Sequence, residues 1–323
     1  MASIIAADTV LPSMSTGSYC NIISDVCLVV NYYLDLVKRI WYNILEKYFR
    51  KGFTMNKIAV IPKKTKYGIE TLVQTIKNHG LQPLLPLDCA DCGVDAVYTD
   101  NIGLKQADMI IVLGGDGSLL SAARDFFDDG IPLLGINHGN LGFLTELEKN
   151  DTEALDDILR GNFVTAKHTI LSAKIGGKCF KALNDAAMHR GISARMLNIS
   201  VYIGTKIINS FRADGVVVST PTGSTAYSLS AGGPIVDPAV NVLIITPICP
   251  HNLYSRSIIV PADKEIILRV SNDDNESTAL SLDGQITHHV KNGEDIHISG
   301  GGSVSLVRKS TSSFYDRLRK KMY

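Results

Sequence analysis

Short apolar strands alternate with amphipathic helices over residues 55–160, and this alternation limits the fold more than any other feature of the sequence. The runs at 57–61 (KIAVI) and 109–113 (MIIVL) are rich in β-branched residues, which is typical of buried strands. Strands that alternate with helices indicate a parallel, doubly wound sheet. The pattern predicts strands at 57–61, 83–87, 109–113 and 131–136 and helices at 69–76, 118–127 and 151–160.

Residues 161–310 follow a different pattern, because short strand-like runs follow one another with few helical segments between them. This pattern predicts a β-rich domain of stacked sheets. The fold class is therefore an α/β, Rossmann-like domain (55–160) followed by a β-rich domain (161–310), with a C-terminal helix (311–323) that docks back. The expected strands are 169–173, 179–183, 198–203, 216–219, 242–246, 257–260, 265–270, 279–282, 295–299 and 303–307.

The first 54 residues precede this pattern and form an extension. Residues 22–41 are apolar-rich, but five polar or charged residues interrupt them, so they do not predict a spanning helix. The first basic residue is Lys38, which does not fit a signal peptide. An amphipathic helix and a dispensable extension both remain open, since Met55 stands directly before the first strand.

Charge and cysteine content exclude several classes of function. Lysine plus arginine and aspartate plus glutamate both number 32, so no overall charge recruits nucleic acid or an anionic membrane. Six cysteines are present, and only Cys89 and Cys92 form a C-x-x-C pair. A structural zinc site normally needs a second pair, so we expect no metal site and a reducing, cytoplasmic location.

The first candidate site is the sequence Gly114-Gly115-Asp116-Gly117-Ser118, which joins a predicted strand to a predicted helix. Glycines allow close backbone approach, and a helix N-terminus favours phosphate. Asp116 at such a point suits a general base or a partner of a metal–phosphate complex. A plain tight turn remains the alternative. The P-loop motif and G-x-G-x-x-G are both missing, so a P-loop NTPase and a standard Rossmann dehydrogenase are excluded.

Two further segments carry polar chemistry. The run from Asp214 to Pro234 follows a predicted strand and contains seven hydroxyl side chains, which can bind the neutral edges of a base or carboxamide. Asn184-Asp185 at a strand end can hold ribose hydroxyls, although this pair is also common in turns. Asp283-Gly284-Gln285 predicts either a site or a hairpin turn.

Together these motifs resemble the NAD kinase family of the bacterial type. The resemblance rests on Gly114–Ser118, Leu183–Asp185, Asp214–Pro234, residues 245–251 (ITPICPH) and Asp283–Gln285, which occur in the family's order over about 56–323. It implies ATP-dependent phosphorylation of the 2′-hydroxyl of the adenosine ribose of NAD, which gives NADP. It also implies a divalent cation, Mg²⁺ with ATP, and a homodimer or homotetramer.

The resemblance also implies roles for individual residues. Asp116 would be the base, and Gly114, Gly115 and Gly117 would contact phosphate. The residues expected around NAD are Asp116, Gly117, Asn184, Asp185, Arg195, Arg212, Asp214, Thr222, Thr225, Ala226, Tyr227, Ser228, Leu229, Ser230 and Gln285. Asp185 stands where the family usually has glutamate, so its ribose contacts are expected to be longer or mediated by water.

Two alternatives remain at this stage. A diacylglycerol- or sphingosine-type lipid kinase would share the glycine-rich turn but has no need of the hydroxyl-rich run. A catalytically silent NAD(P)-binding regulator could keep that run but could dispense with Asp116, which is present.

Overall fold

The computed structural model describes residues 55–62, 68–137, 139, 142–191, 195–252, 255–271 and 278–322. The predicted extension over 1–54, with its amphipathic segment, lies outside the described residues. No helix within the described ranges is long and apolar enough to cross a membrane.

A parallel sheet forms the first part, with the strand order β3-β2-β1-β4-β5. Strand β4, which lies between β1 and β5, is fully buried, as its unbroken apolar sequence predicts. A short strand, β6, pairs with β5. These strands are β1 (Lys57–Pro62), β2 (Gln82–Pro86), β3 (Val97–Thr99), β4 (Met109–Leu113), β5 (Leu133–Asn137) and β6 (Leu147–Glu148).

Helices cover both faces of this sheet, which is the doubly wound arrangement. These helices are α1 (Ile69–Asn78), α2 (Asn101–Leu104), α3 (Asp116–Phe126) and α4 (Thr152–Leu159). Two further helices, α5 (Tyr227–Ser230) and α6 (Phe314–Met322), come later in the chain. The apolar faces of α1 and α4 pack into the core on one side of the sheet, and those of α2 and α3 into the core on the other. Single turns of 3₁₀ helix occur at Leu87–Cys92 and Thr222–Thr225.

Two stacked antiparallel arrangements form the second part, as predicted. The strands are β7 (Val164–Ile175), β8 (Lys178–Ala182), β9 (Asp185–Arg190), β10 (Leu197–Ile203), β11 (Lys206–Ala213), β12 (Gly215–Ser219), β13 (Val242–Ile248), β14 (Ile258–Pro261), β15 (Ile266–Ser271), β16 (Thr278–Leu282), β17 (Ile286–Val290) and β18 (Asp295–Arg308). One sheet has the order β14-β13-β12-β9-β16-β17. The other continues the parallel sheet as β11-β10-β15-β18-β5, with β7 paired to β18 and β8 paired to β7. A common apolar core lies between them.

The fold class is confirmed, but several strands differ from the prediction. Strands β3, β6, β9, β11 and β17 were not expected, and the two runs at 295–299 and 303–307 form the single strand β18. The pairing of β18 with β7 shifts register between Gly300 and Ser303, so the glycines between the two predicted strands form an irregularity within one strand. The division into domains at residue 160 stays a prediction.

Candidate active site

Asp116 is the first residue of α3 and lies at the carboxyl end of β4. Its Oδ2 accepts a hydrogen bond from the backbone N–H of Phe143 (2.8 Å). Its Oδ1 accepts from the backbone N–H groups of Leu144 (3.2 Å) and Thr145 (3.1 Å) and from the Thr145 hydroxyl (3.4 Å). These contacts fix the carboxylate, and they leave Oδ2 with more accepting capacity than Oδ1.

Gly142 explains how the chain approaches this carboxylate so closely. A Cβ at position 142 would overlap the Asp116 carboxylate. Only glycine therefore lets the segment 142–145 wrap around Asp116. The neighbouring Gly114, Gly115 and Gly117 lie at the same strand–helix junction, with Gly117 exposed.

The turn between β8 and β9 carries the predicted pair Asn184-Asp185. The Asp283 carboxylate accepts hydrogen bonds from the backbone N–H groups of Leu183 (3.2 Å), Asn184 (2.7 Å) and Asp185 (3.3 Å). Asp185 is buried, and this burial, together with the nearby charge of Asp283, raises the pKa of its carboxyl to about 7. Near neutral pH this group can therefore both donate and accept a hydrogen bond.

The hydroxyl-rich run forms a loop that packs tightly against this turn. A Cβ at Gly223 would overlap the backbone of Asn184, so the loop can reach the turn only with glycine there. Thr220 Oγ1 donates to the carbonyl of Leu183 (2.5 Å), and its backbone N–H donates to that of Asn184 (2.9 Å). The loop and the Asn184-Asp185 turn thus form one rigid unit.

Many of the predicted hydroxyls bond within the protein. Thr222 Oγ1 lies 2.9 Å from His168 Nδ1, Ser224 pairs with the backbone of Val236, and Ser228 Oγ lies 3.1 Å from Thr246 Oγ1. The structure therefore gives Ser224 and Ser228 a role in holding the loop. Tyr227 and Ser230 are exposed, whereas Ala226 and Leu229 are half-buried.

Groups from three distant segments act on the hydroxyl of Tyr227. Partial burial raises the pKa of the Tyr227 hydroxyl, and the Cys249 thiol and the carboxylates of Asp185 and Asp214 add to this effect. Asp214 itself forms an ion pair with Arg190, whose Nε lies 3.0 Å from Asp214 Oδ1. Asp185, Asp214 and Cys249 are thus near enough to Tyr227 to act on the charge of its hydroxyl, and a shared NAD site for these residues stays a prediction.

The two predicted arginines lie in more open positions. Arg212 is exposed and lines a cleft of about 380 Å³ with Asn198, Ser210 and His251. Arg195 is also exposed. The arginine that pairs with Asp214 is Arg190, which the sequence analysis did not select.

A cavity of about 250 Å³ lies between the segment that holds Asp116 and the hydroxyl-rich loop. Its walls include Phe143, Leu144, Thr222 and Thr225, and Phe314 of α6 lines it as well. Its lining thus combines aromatic rings with hydroxyl groups. The cavity therefore joins the predicted catalytic and nucleotide-binding elements.

A buried ionic network supports this cavity. Arg308 Nη1 donates to Glu146 Oε2 (3.0 Å) and to the Leu144 carbonyl (2.9 Å), and Arg317 of α6 donates to the same Glu146 oxygen (2.6 Å). Burial, with help from Arg308 and Arg317, lowers the pKa of His168 to about 3, so this imidazole is neutral. His168 was not predicted as part of the site. The sequence signal that could have identified it is a polar residue on the same face of β7 as buried apolar residues.

This arrangement defines a class of protein. A carboxylate at the N-terminus of a helix follows a glycine-rich turn at the carboxyl edge of a parallel sheet, where phosphates bind. The segment whose backbone binds this carboxylate also lines a cavity that has hydroxyls and aromatic rings in its walls. These features are those of a phosphotransferase that acts on a hydroxyl group of a nucleotide.

Comparisons with known proteins specify the family. Family models of the ATP-NAD kinase N-terminal and C-terminal domains match residues 39–163 and 183–308. Among curated relatives, the NAD kinase of Thermoanaerobacter sp. (strain X514) is 39% identical over 281 residues, covering 83% of this chain and 99% of the relative. That of Symbiobacterium thermophilum is 43% identical over 262 residues, with 78% and 92% covered. The chain belongs to the NAD kinase family, which phosphorylates NAD with ATP.

Solved structures agree with this assignment. Yeast NADH kinase complexed with NADH superposes with a TM-score of 0.71 at 25% identity, covering 82% of this chain and 86% of that one. An NAD kinase from Archaeoglobus fulgidus in complex with ATP has a TM-score of 0.65 at 23% identity, covering 82% and 98%, which supports the fold. The predicted family is confirmed.

Proposed function

We propose that Asp116 is the general base of the phosphoryl transfer to NAD. The observation that carries this proposal is the fixed carboxylate at the start of α3, whose Oδ2 bears a single hydrogen bond from the described residues. The adenosine 2′-hydroxyl would give its proton to Asp116 as its oxygen bonds to the γ-phosphorus of ATP. The bond from that phosphorus to the β–γ bridging oxygen breaks, and ADP leaves.

The hydroxyl-rich loop and the turn before β9 would hold NAD. We assign the ribose hydroxyls to Asn184 and Asp185, because Asp185 can donate or accept at neutral pH. We assign one base to the cavity between Phe143 and Thr222, where the ring offers stacking and the hydroxyl a hydrogen bond. The other residues that we assign to the NAD-binding site are Gly117, Arg195, Arg212, Asp214, Thr225, Ala226, Tyr227, Ser228, Leu229, Ser230 and Gln285.

ATP would approach from the glycine-rich turn. The backbone at Gly114, Gly115 and Gly117, at the positive end of the α3 dipole, suits the phosphates. A divalent cation would enter as the Mg²⁺ complex of ATP, since Mg²⁺ keeps several waters and binds substrate phosphates with few protein carboxylates.

A homodimer or homotetramer is the proposed assembly. Strand β11 is the edge of its sheet, and its Ile207 and Ile208 are 57% and 38% exposed. An exposed apolar edge strand is a template for pairing with a second copy. Such pairing would bring Arg212, at the end of β11, close to a neighbouring subunit. The free thiols of Cys89, Cys92, Cys179 and Cys249 suit a reducing cytoplasm.

A coupled assay tests the proposed reaction. The full chain is incubated with NAD, ATP and Mg²⁺, and NADP is read with an NADP-specific dehydrogenase, with NADH and vesicles containing diacylglycerol or sphingosine as alternative acceptors. NADP formation supports the proposal. Phosphorylation of the lipid alone would favour the lipid kinase, and NAD binding without turnover would favour the silent regulator.

A further inference from the structure

Arg124, on the last turn of α3, connects the helix that carries Asp116 to the turn between β16 and β17. Its Nη1 lies 2.9 Å from Asp283 Oδ2, and its Nη2 lies 2.5 Å from Gln285 Oε1. The Arg124 side chain is 13% exposed and that of Asp283 is 0% exposed. A guanidinium can make both contacts at once because its N–H groups form a rigid fork.

The contact between Arg124 and Asp283 supports the turn that carries Asn184 and Asp185. The Asp283 carboxylate accepts the backbone N–H groups of residues 183–185 and has no exposed surface. A fully buried carboxylate needs a compensating charge. Arg124 supplies that charge, so it helps to fix the position of Asn184 and Asp185 relative to α3.

The second contact sets the orientation of the Gln285 amide. Arginine only donates, so the oxygen of the amide must face Arg124 and its NH₂ group must face away. That NH₂ group donates to the carbonyl of Gly117 at 2.8 Å. One N–H of Gln285 then remains for a ligand beside Gly117 and Asp116, and this N–H can bind only an acceptor such as a ribose or phosphate oxygen.

We propose that Arg124 is a positioning residue for phosphoryl transfer, which sets the distance between Asp116 and the nucleotide-binding residues Asn184, Asp185 and Gln285. This inference rests on the proposed function. Its consequence is that Arg124 governs turnover without touching substrate. A misplacement of about 1 Å at a reacting centre can lower the rate by about 10²-fold.

The test compares Arg124→Lys, Arg124→Met and Gln285→Glu with the wild type. Lysine keeps a charge for Asp283 but cannot contact Gln285 with the same fork. Glutamate at 285 keeps the acceptor for Arg124 but places an oxygen against the Gly117 carbonyl. We expect kcat to fall about 10-fold for Arg124→Lys and Gln285→Glu and about 10²-fold for Arg124→Met, with the KM for ATP unchanged.

A matched control and a double variant separate positioning from general stability. Arg269→Met removes another two-pronged arginine contact, to Asp295 (2.6 Å for each bond), on the distant strand β15, and should leave kcat unchanged. The double variant Arg124→Lys/Gln285→Glu should be no slower than the slower single variant, because both act through one contact. Additive losses of about 10²-fold, or normal kcat in Arg124→Lys, would overturn the proposal.

The proposed function and this inference fail in different ways. If the wild type forms no NADP, the proposed function fails, and calorimetry with NAD then tests Arg124. Weaker NAD binding by Arg124→Lys and by Gln285→Glu would still support the positioning role. Unchanged affinity in both would overturn it.

Discussion

Replacement of Asp116 by asparagine tests the proposed base most directly. The side chain keeps its size, but one of its two acceptor oxygens becomes an NH₂ group that can only donate. If the amide oxygen takes the place of Oδ1, the NH₂ group faces the backbone N–H of Phe143, which now donates to Oδ2. The variant therefore loses the base together with one hydrogen bond.

The contacts and the proposed role of Asp116 set the expected losses of stability and of turnover in this variant. A hydrogen bond to a charged group contributes about 1.5–3 kcal/mol, and a native domain has about 5–15 kcal/mol of stability. We therefore expect Asp116→Asn to fold, with Tm lower by roughly 2–5 °C. Loss of the general base should lower kcat by about 10³-fold, within the usual range of 10²–10⁴-fold.

The assay is NADP formation under saturating NAD and ATP, with NAD binding measured by calorimetry. Thr145→Val is the matched control, because it removes the hydroxyl contacts to Asp116 (3.4 Å) and Gly142 N–H (3.0 Å) but keeps the carboxylate. Its kcat should stay within about 10-fold of the wild type. Turnover by Asp116→Asn at the level of Thr145→Val would refute the role of Asp116 as base.

Three further predictions concern the scaffold of the site. Gly223→Ala should lower Tm by several degrees and raise the KM for NAD, because its Cβ overlaps the Asn184 backbone; an equal effect on the KM for ATP would contradict this. Folding raises the pKa of Asp185 from 3.8 to about 7, so between pH 4 and 7 the native state binds more protons than the unfolded state. The free energy of unfolding should therefore fall by up to about 1.4 kcal/mol for each unit by which the pH rises over this range. Chemical denaturation at several pH values should show that Asp185→Asn loses this slope. Arg308→Met should destabilise the protein by about 3–5 kcal/mol, because Glu146 keeps its buried charge but loses a partner, and a change below 1 kcal/mol in urea unfolding would contradict this.

Local patterns predicted the parts of the fold that depend on sequence neighbours. The apolar run of β4 and the helical spacing of Ile69, Leu72, Val73 and Ile76 correspond to elements with the expected buried faces. Strand β9 (DAAMHR) was missed because alanine and methionine have little strand preference. Its pairing with β12 and β16 on both sides imposes the extended conformation, which only the tertiary structure reveals.

The site was predictable where a motif carries its own chemistry. Asp116 and Asn184-Asp185 were selected from their residue types and their positions beside predicted strands. Asp283 was selected only as part of an Asp-Gly-Gln segment, and its partner Arg124 was not selected, because the two residues are far apart in the sequence and Arg124 belongs to no motif. The hydroxyl-rich run was selected because of its unusual composition, but composition alone could not separate hydroxyls that bond internally, such as Ser224, from exposed ones, such as Ser230.

Strand β18 has a consequence for how the chain is made. It is the last strand in the part of the chain that the structure describes, yet it pairs with β7 along most of its length and reaches β5 through Leu306 and Leu133. Until it emerges from the ribosome, one end of β5 has only β4 beside it, and the long strand β7 has only its neighbour β8. A nascent or truncated chain that stops before residue 295 therefore exposes unpaired strand edges, which favour aggregation, and this sheet can be completed only after residues 295–308 have been made.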